Sequence, residues 1–130
     1  MRWPWQRLLT RGELGALGER HAARLLRARG LQVLEANFRT KQGELDLVAR
    51  ERDTLVFVEV RTRTAEAITS PLATVDAHKQ AQLLRMARIY RRARRLPDTP
   101  TRFDVVEVIA TPHGRVVDIR HVVGAFGEDG

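Results

Sequence analysis

Two of the acidic residues in the stretch GELDLVARERDTLVFVEVRTR, residues 43–63, lie inside its apolar segments. Asp46 lies between two leucines and Glu59 between two valines, in segments whose Val and Leu content predicts buried strands. An unpaired buried carboxylate is costly, so such a group usually shifts its pKa, finds a partner or binds a metal. The two acids therefore indicate either a metal site or a buried network of ion pairs with arginines.

This stretch predicts a β-hairpin, with strands over 44–50 and 54–62 joined by a polar link at 50–53. Side chains alternate along a strand, so Glu59 and Arg61 share one face. A loop with an even number of residues brings Asp46 opposite or diagonal to Glu59, whereas an odd loop or a bulge places it on the other side of the sheet. Two carboxylates that close repel unless a proton or a cation lies between them.

Oxygen atoms are the expected ligands at such a site. The chain has no cysteine, and no histidine lies nearby in sequence, which suits Mg²⁺ or Mn²⁺. The backbone carbonyl of Val60 and water would complete the shell, and Glu19 would add an oxygen if its helix packs on the hairpin. Such a site supports phosphodiester hydrolysis, because the metal activates a water and neutralises charge on the phosphate.

Outside the hairpin the sequence predicts two helices and three more strands. Thr10 and Glu13 form a capping box that begins a helix over 11–29, which Gly30 ends. A second helix is expected over 75–94, after a loop with Ser70-Pro71, and its buried side carries Leu83, Met86, Ala87 and Tyr90. Strands are expected at 31–37, 102–110 and 115–123. The prediction is a single α/β domain over 11–123, with a mixed sheet in the order α-β-β-β-α-β-β, between a flexible segment at 1–10 and a frayed tail at 124–130.

Several other residues are interpreted as structural. The glycines of the first helix, Gly12, Gly15 and Gly18, are better explained by close packing against the sheet than by a phosphate-binding loop. Asp104 lies in an apolar strand like Asp46 does, and is interpreted as a structural acid. The four histidines show no metal-binding spacing.

The charge balance favours a polyanionic partner. The chain has 23 Lys plus Arg against 16 Asp plus Glu, a net charge of +7, and nucleic acid is the commonest partner of a small basic domain. An acidic membrane surface and an acidic protein are the alternatives. The second helix carries many arginines without interleaved acids, which favours a phosphate-contacting surface. The predicted nucleic-acid contacts are Arg85, Arg88, Arg92 and Arg95.

Cysteine usage and hydropathy bear on compartment and chemistry. Without cysteine there are no disulfides, no thiolate zinc sites and no cysteine nucleophile. No apolar run approaches the roughly 20 residues that span a bilayer, and the opening MRWPWQRLL lacks the long apolar stretch of a signal peptide. We therefore expect a cytoplasmic protein without a membrane partner.

The order of the motifs resembles the PD-(D/E)xK nuclease superfamily: a helix with an acid, then Leu-Asp, then a strand that ends VEVR, then a helix that starts near His-Lys. More narrowly, GELDLV, VFVEVRTR, Lys79-Gln80 and RFDVV are similar to the bacterial YraN family of endonuclease-like proteins. Archaeal Holliday-junction resolvases are similar in shape. The resemblance covers about residues 11–122 and implies a restriction-endonuclease-like mixed sheet flanked by helices.

Position by position, the resemblance assigns roles to four residues. Asp46 and Glu59 are the metal ligands, Glu19 is the helix-borne acid, and Arg61 occupies the lysine position of the superfamily. Arginine stays protonated, so Arg61 stabilises negative charge on the phosphate and does not act as a general base. Lys79, one of two lysines in the chain, is the candidate to substitute for the missing base.

The function implied is that of a Mg²⁺-dependent endonuclease-like protein acting on structured or branched DNA. Leu45 replaces the proline of the superfamily motif, which supplies no ligand. The alternatives are a nucleic-acid-binding module that keeps the nuclease fold without cutting, and a protein whose basic face meets an acidic partner. A four-way junction needs two cuts, so a homodimer is expected if that is the substrate.

Overall fold

The elements follow the predicted order α-β-β-β-α-β-β in the computed structural model, which describes residues 7–64 and 75–127. The helices are α1 (Arg11–Ala28) and α2 (Ala77–Ala93). The strands are β1 (Gln32–Thr40), β2 (Gly43–Glu51), β3 (Thr54–Thr64), β4 (Thr101–Ala110) and β5 (Val116–Phe126). The predicted loop at Ser70-Pro71 lies outside the described residues. The mixed α/β prediction is confirmed.

The five strands form one sheet in the order β1-β2-β3-β4-β5. β3 and β4 are parallel, and the other neighbouring strands are antiparallel. A parallel pair needs a long crossover, whereas a short turn joins antiparallel strands. The crossover from β3 to β4 contains α2. The predicted hairpin of β2 and β3 is present, and β4 and β5 form a second one.

The two helices cover opposite faces of the sheet. Leu55 and Phe57 of β3 pack in the core with α2, and the alternate residues Val56 and Val58 pack in the core with α1. This separation follows from the alternation of side chains along a strand, and burial on both faces explains the continuous apolar run of β3. The predicted core side of α2 is buried at all four positions, Leu83, Met86, Ala87 and Tyr90. Neither described helix is long and apolar enough to cross a membrane.

Several element boundaries differ from the prediction by one to three residues. α2 begins at Ala77 rather than residue 75, because the side chain of Asp76 accepts a hydrogen bond from the N–H of Lys79 and caps the helix. β1 continues to Thr40 through Asn37, which adopts a φ of 56° that asparagine tolerates. β5 continues to Phe126 instead of fraying from residue 124.

Contacts at both ends extend the folded unit beyond 11–123. The N–H of Leu9 donates to the carbonyl of Pro112 (2.9 Å), so the segment expected to be flexible contacts the domain at its described end. At the other end, the N–H of Gly124 donates to Asp104 (3.0 Å). Phe126 stacks on Phe103 with 4.6 Å between the ring centroids.

Candidate metal centre

The hairpin of β2 and β3 opens at the two predicted acids. The strands pair from Glu51–Thr54 to Leu47–Val58 around a turn of two residues at 52–53, which satisfies the condition of an even loop. The backbone pairing of β2 with β3 ends at Leu47 and Val58. The N–H of Val60 instead donates to Oδ2 of Asp46 (2.8 Å). The carboxylate of Asp46 thus takes the place of a backbone acceptor where the strands part.

Asp46 and Glu59 meet in this opening, and their contact changes the acidity of Asp46. Burial is the largest cause that raises the pKa of Asp46 to about 7. A hydrogen bond with Glu59 and the negative charges of Glu59 and Glu19 add to the rise, while the hydrogen bond from Val60 opposes it. Without a cation, one proton is therefore held between the carboxylates below about pH 7.

Gly18 allows α1 to approach β3 closely and so brings Glu19 to the centre. A Cβ at Gly18 would overlap the hydroxyl of Thr62. Burial is the largest cause that raises the pKa of Glu19, and the charge of Glu44 adds to it. Oε1 of Glu19 is buried and accepts no hydrogen bond from the described residues. Glu19 thus offers an unused acceptor beside Asp46.

The other two glycines of α1 do not pack against the sheet. A Cβ at Gly12 would meet only Thr10, and one at Gly15 would have nothing within 4 Å. The close-packing interpretation is wrong for these two residues and right for Gly18. Gly15 lines a groove of about 470 Å³ between α1 and β3, together with Glu19, so its missing side chain leaves open space.

Lys79 joins α2 to the centre. Its position in the first turn of α2 is fixed by the N-cap Asp76, and its Nζ lies 3.5 Å from Oε2 of Glu59. The side chain of Glu59 is 11% exposed and that of Lys79 is 34% exposed. Lys79, which the sequence identified only as a candidate, therefore contacts the predicted metal ligand Glu59 and remains accessible to water.

Arg61 lies two residues after Glu59 on the same face of β3, in register with Glu107 of β4. Glu107 is only 1% exposed, and Arg63 and Arg120 lie 3.7 and 3.9 Å from its carboxylate oxygens. Sequence reasoning did not single out Glu107. Its signal was the same as that of Glu59, a lone acid inside an apolar strand.

The predicted nucleic-acid contacts are exposed but do not face the centre. Arg85, Arg88, Arg92 and Arg95 are all exposed. Nine residues separate Lys79 from Arg88, about two and a half helical turns, so their side chains leave α2 on opposite sides. The structure therefore separates this arginine stripe from the carboxylate pair by the body of α2.

The model of the uncharacterised protein family UPF0102 matches residues 18–108. This chain belongs to the UPF0102 family. The matched segment includes Glu19, Asp46, Glu59 and Lys79.

Relatives of this UPF0102 protein match it over most of both chains. The UPF0102 protein of Syntrophotalea carbinolica is 44% identical over 117 residues, which cover 90% of this chain and 94% of the relative. That of Caldanaerobacter subterraneus subsp. tengcongensis is 37% identical over 114 residues, covering 87% and 93%. That of Chloroflexus aurantiacus is 44% identical over 117 residues, covering 89% and 94%. The names of these relatives state no activity.

Asp104 of this UPF0102 protein belongs to a separate ion-pair network, in agreement with its structural interpretation. Arg29 lies within 2.7 Å of Nδ1 of His121; because arginine only donates, the ring proton is on Nε2, which donates to Asp104 (2.8 Å). Burial favours a higher pKa for Asp104, but hydrogen bonds from His121 and Arg102 outweigh it and hold the pKa below its usual value. The network fastens β5 to β4.

The donor set of the UPF0102 centre fits a hard divalent cation. No group of three or more His, Asp or Glu side chains in residues 7–64 and 75–127 is arranged to hold a metal. Mg²⁺, however, keeps several waters and typically binds through one or two carboxylates. An extended strand turns the N–H and C=O of one residue to the same side, so the carbonyl of Val60 points with its N–H towards Asp46. The carboxylates of Asp46 and Glu59 thus lie together with the carbonyl of Val60 on the same side, and Glu19 is close enough for its charge to act on Asp46.

Proposed function

We propose that this UPF0102 protein is a Mg²⁺- or Mn²⁺-dependent endonuclease-like phosphodiester hydrolase that acts on structured or branched DNA. The observation that carries the proposal is the contact of Glu59 with both Asp46 and Lys79 where β2 and β3 part, with the charge of Glu19 acting on Asp46. The mixed sheet with a helix on each face supports a restriction-endonuclease-like fold, and the motifs around the centre support membership of the YraN family.

Asp46 and Glu59 would hold the cation, with the carbonyl of Val60 and water in the remaining positions. Bound there, a divalent cation lowers the pKa of water and neutralises charge that develops on the phosphate. Glu19 contributes an acceptor that orients a water molecule entering the centre, since its Oε1 is buried without a partner among the described residues.

Lys79 and Arg61 divide the work that a single lysine performs in the resembled superfamily. The side-chain amine of Lys79, 3.5 Å from Glu59, orients the attacking water or takes its proton. Arg61 stays charged and contacts phosphate oxygens through its planar guanidinium. The base and the charge clamp thus reside on different elements, α2 and β3.

The proposal is tested by metal binding and cleavage measured on the same variants. Mn²⁺ titration by calorimetry should show binding to the wild type that Glu59→Gln and Asp46→Asn largely abolish. The same substitutions should remove Mn²⁺-supported cleavage of branched, flapped or single-stranded DNA. Asp53→Asn, in the exposed turn at the other end of the hairpin, is the matched control and should behave as wild type. Cleavage that survives in Glu59→Gln places the activity elsewhere.

A non-catalytic nucleic-acid-binding module is the second candidate, and the observation that favours it is Arg61 in the lysine position. DNA binding by the wild type without cleavage of any of these substrates, in Mg²⁺ or Mn²⁺, would support this alternative. If a four-way junction is cut, sedimentation of the complex should show two copies of the chain, because two strands must be cut.

A further inference from the structure

The groove between α1 and β1 has an apolar floor and a basic rim. It encloses about 500 Å³, and its floor includes Val33, Ala36 and Leu47. Its rim on α1 is formed by Arg20, Arg24 and Arg27, all exposed. Their spacing of four and three residues places them in one stripe of the helix. Sequence reasoning overlooked this stripe, although the spacing was visible.

The positive charge of this rim is uncompensated within the described residues. Neither an ion pair nor a side-chain hydrogen bond joins Arg20, Arg24 or Arg27 to residues 7–64 or 75–127. Arg94 shows the contrast, because it is 2.7 Å from the carboxylate of Glu35. The one acid among the lining residues of the groove is Glu19. Three guanidinium groups are thus available to bind an anionic ligand outside the chain.

One end of the groove reaches the candidate metal centre. Glu19 lines the groove, and its negative charge contributes to the raised pKa of Asp46. A ligand that lies along the arginines therefore ends at Glu19.

We propose that this groove binds the sugar-phosphate backbone of one nucleic-acid strand and leads it to the centre at Glu19. Arg20 and Arg27 are about 10 Å apart along the axis of α1, a length over which one strand of a DNA duplex rises by about three nucleotides, at about 3.4 Å of helix axis for each phosphate. Guanidinium forks suit phosphate oxygens, and a basic groove that follows the backbone is how strands are bound without sequence preference. That the strand leads to the centre rests on the proposed function. Binding of the strand in the groove does not require cleavage.

The arginine stripe of α2 cannot supply phosphate contacts next to the centre. Arg88 and Lys79 leave α2 on opposite sides, so a strand on that stripe lies behind the helix as seen from Glu59. The two stripes are therefore distinguishable by matched substitutions. Each contains at least three exposed arginines with no partner among the described residues.

The test compares Arg20→Ala/Arg24→Ala/Arg27→Ala with Arg88→Ala/Arg92→Ala/Arg95→Ala, which removes the same charge from α2 and the residues directly after it. Affinity for fluorescein-labelled single-stranded DNA and for the corresponding duplex is measured by anisotropy over a range of salt, with Ca²⁺ in place of Mg²⁺. The α1 triple variant should lower affinity about tenfold or more and reduce the slope of log affinity against log salt by about 2 for single strands, at about 0.7 for each phosphate contact. Loss for single-stranded DNA alone identifies an unpaired strand, and equal loss for both identifies one strand of a duplex.

A second variant fills the groove without changing charge. Ala16 is exposed and lines the groove, so Ala16→Leu should keep the helix, since leucine is a good helix former, and should weaken binding without altering the salt slope. Unchanged binding in both the α1 triple variant and Ala16→Leu overturns the inference. So does loss of binding in the α2 triple variant alone. Binding that depends on the α1 arginines without any cleavage supports the groove and counts against the proposed nuclease activity.

Discussion

Lys79 and Glu59 form an ion pair across α2 and β3, with 3.5 Å between Nζ and Oε2. The pair places an ammonium group beside the carboxylates at the point where β2 and β3 part. Two roles of Lys79 can be measured separately. Its ion pair with Glu59 affects the stability of the fold, and its proposed role as a proton acceptor affects the rate of cleavage.

Replacement of Lys79 should separate these roles. Lys79→Met should lower cleavage by about 100-fold or more, the usual contribution of a general acid or base. Lys79→Arg keeps a positive charge near Glu59 but cannot take a proton, so it should keep the melting temperature of the wild type and still cleave slowly. Single-turnover rates and thermal melts of both variants check this. Wild-type rates in both would remove Lys79 from the reaction.

The acidity of Asp46 predicts how stability depends on pH in the absence of metal. Burial and Glu59 raise its pKa to about 7, against about 3.9 in an unfolded chain. Between these values the folded protein holds a proton that the unfolded chain does not, so the stability that Asp46 contributes is fully present below about pH 4 and is lost as the pH rises through 7.

Asp46→Asn should remove this dependence, because asparagine resembles the protonated acid and still accepts the hydrogen bond from Val60. Thermal melts of wild type and variant in EDTA, from acidic to mildly alkaline pH, give the comparison. The wild type should lose stability relative to Asp46→Asn as the pH rises towards 7, and the difference should be constant above about pH 8. A difference that does not change with pH contradicts the assignment.

The hairpin shows how far sequence patterns reach. The alternation of β3 and the even turn were enough to predict that Glu59 and Asp46 meet, because both depend on neighbouring residues in the chain. The capping box at Thr10 and Glu13 was likewise readable and is present. Local rules succeed where the partners are close in sequence.

Other features depend on packing over long distances. The contact of Lys79 with Glu59 depends on the path of the crossover from β3 to α2, which no local pattern specifies. The groove of α1 depends on how that helix lies against β1, and the burial of Glu107 depends on the strands on both sides of it. Gly12, Gly15 and Gly18 look alike in the sequence, yet only Gly18 lies against the sheet.

This difference between the glycines predicts opposite effects of one substitution. Gly15→Ala should stabilise the protein by about 0.5–1 kcal/mol, since alanine lowers the entropy of the unfolded chain and a Cβ there meets nothing within 4 Å. Gly18→Ala should destabilise it, by about 1–3 kcal/mol if the helix shifts away from Thr62. Urea denaturation of the two variants provides the measurement. Stabilisation by both would mean that α1 does not approach β3 as described.

Movement of α1 should also be visible at the centre. Glu19 follows Gly18 directly, so a helix that shifts in Gly18→Ala carries this carboxylate away from Asp46. Mn²⁺ affinity should then fall in Gly18→Ala and stay unchanged in Gly15→Ala. Equal affinities would show that Glu19 does not contribute to metal binding.

Arg61 tests whether the centre needs a charge or a base at the lysine position. Arg61 shares a face of β3 with Glu59 and lies in register with the buried Glu107, so its loss removes a positive charge two residues from a proposed metal ligand. Arg61→Ala should lower Mn²⁺-supported cleavage about 100-fold or more, as expected for loss of one preorganised electrostatic contact. Arg61→Lys keeps the charge and adds a titratable amine, so it should retain or increase cleavage and fold like the wild type. Arg50→Ala, on the exposed end of β2, is the control for removal of an arginine from the same hairpin. If Arg61→Lys cleaves as poorly as Arg61→Ala, the planar guanidinium itself is required and the division of roles between Arg61 and Lys79 is wrong.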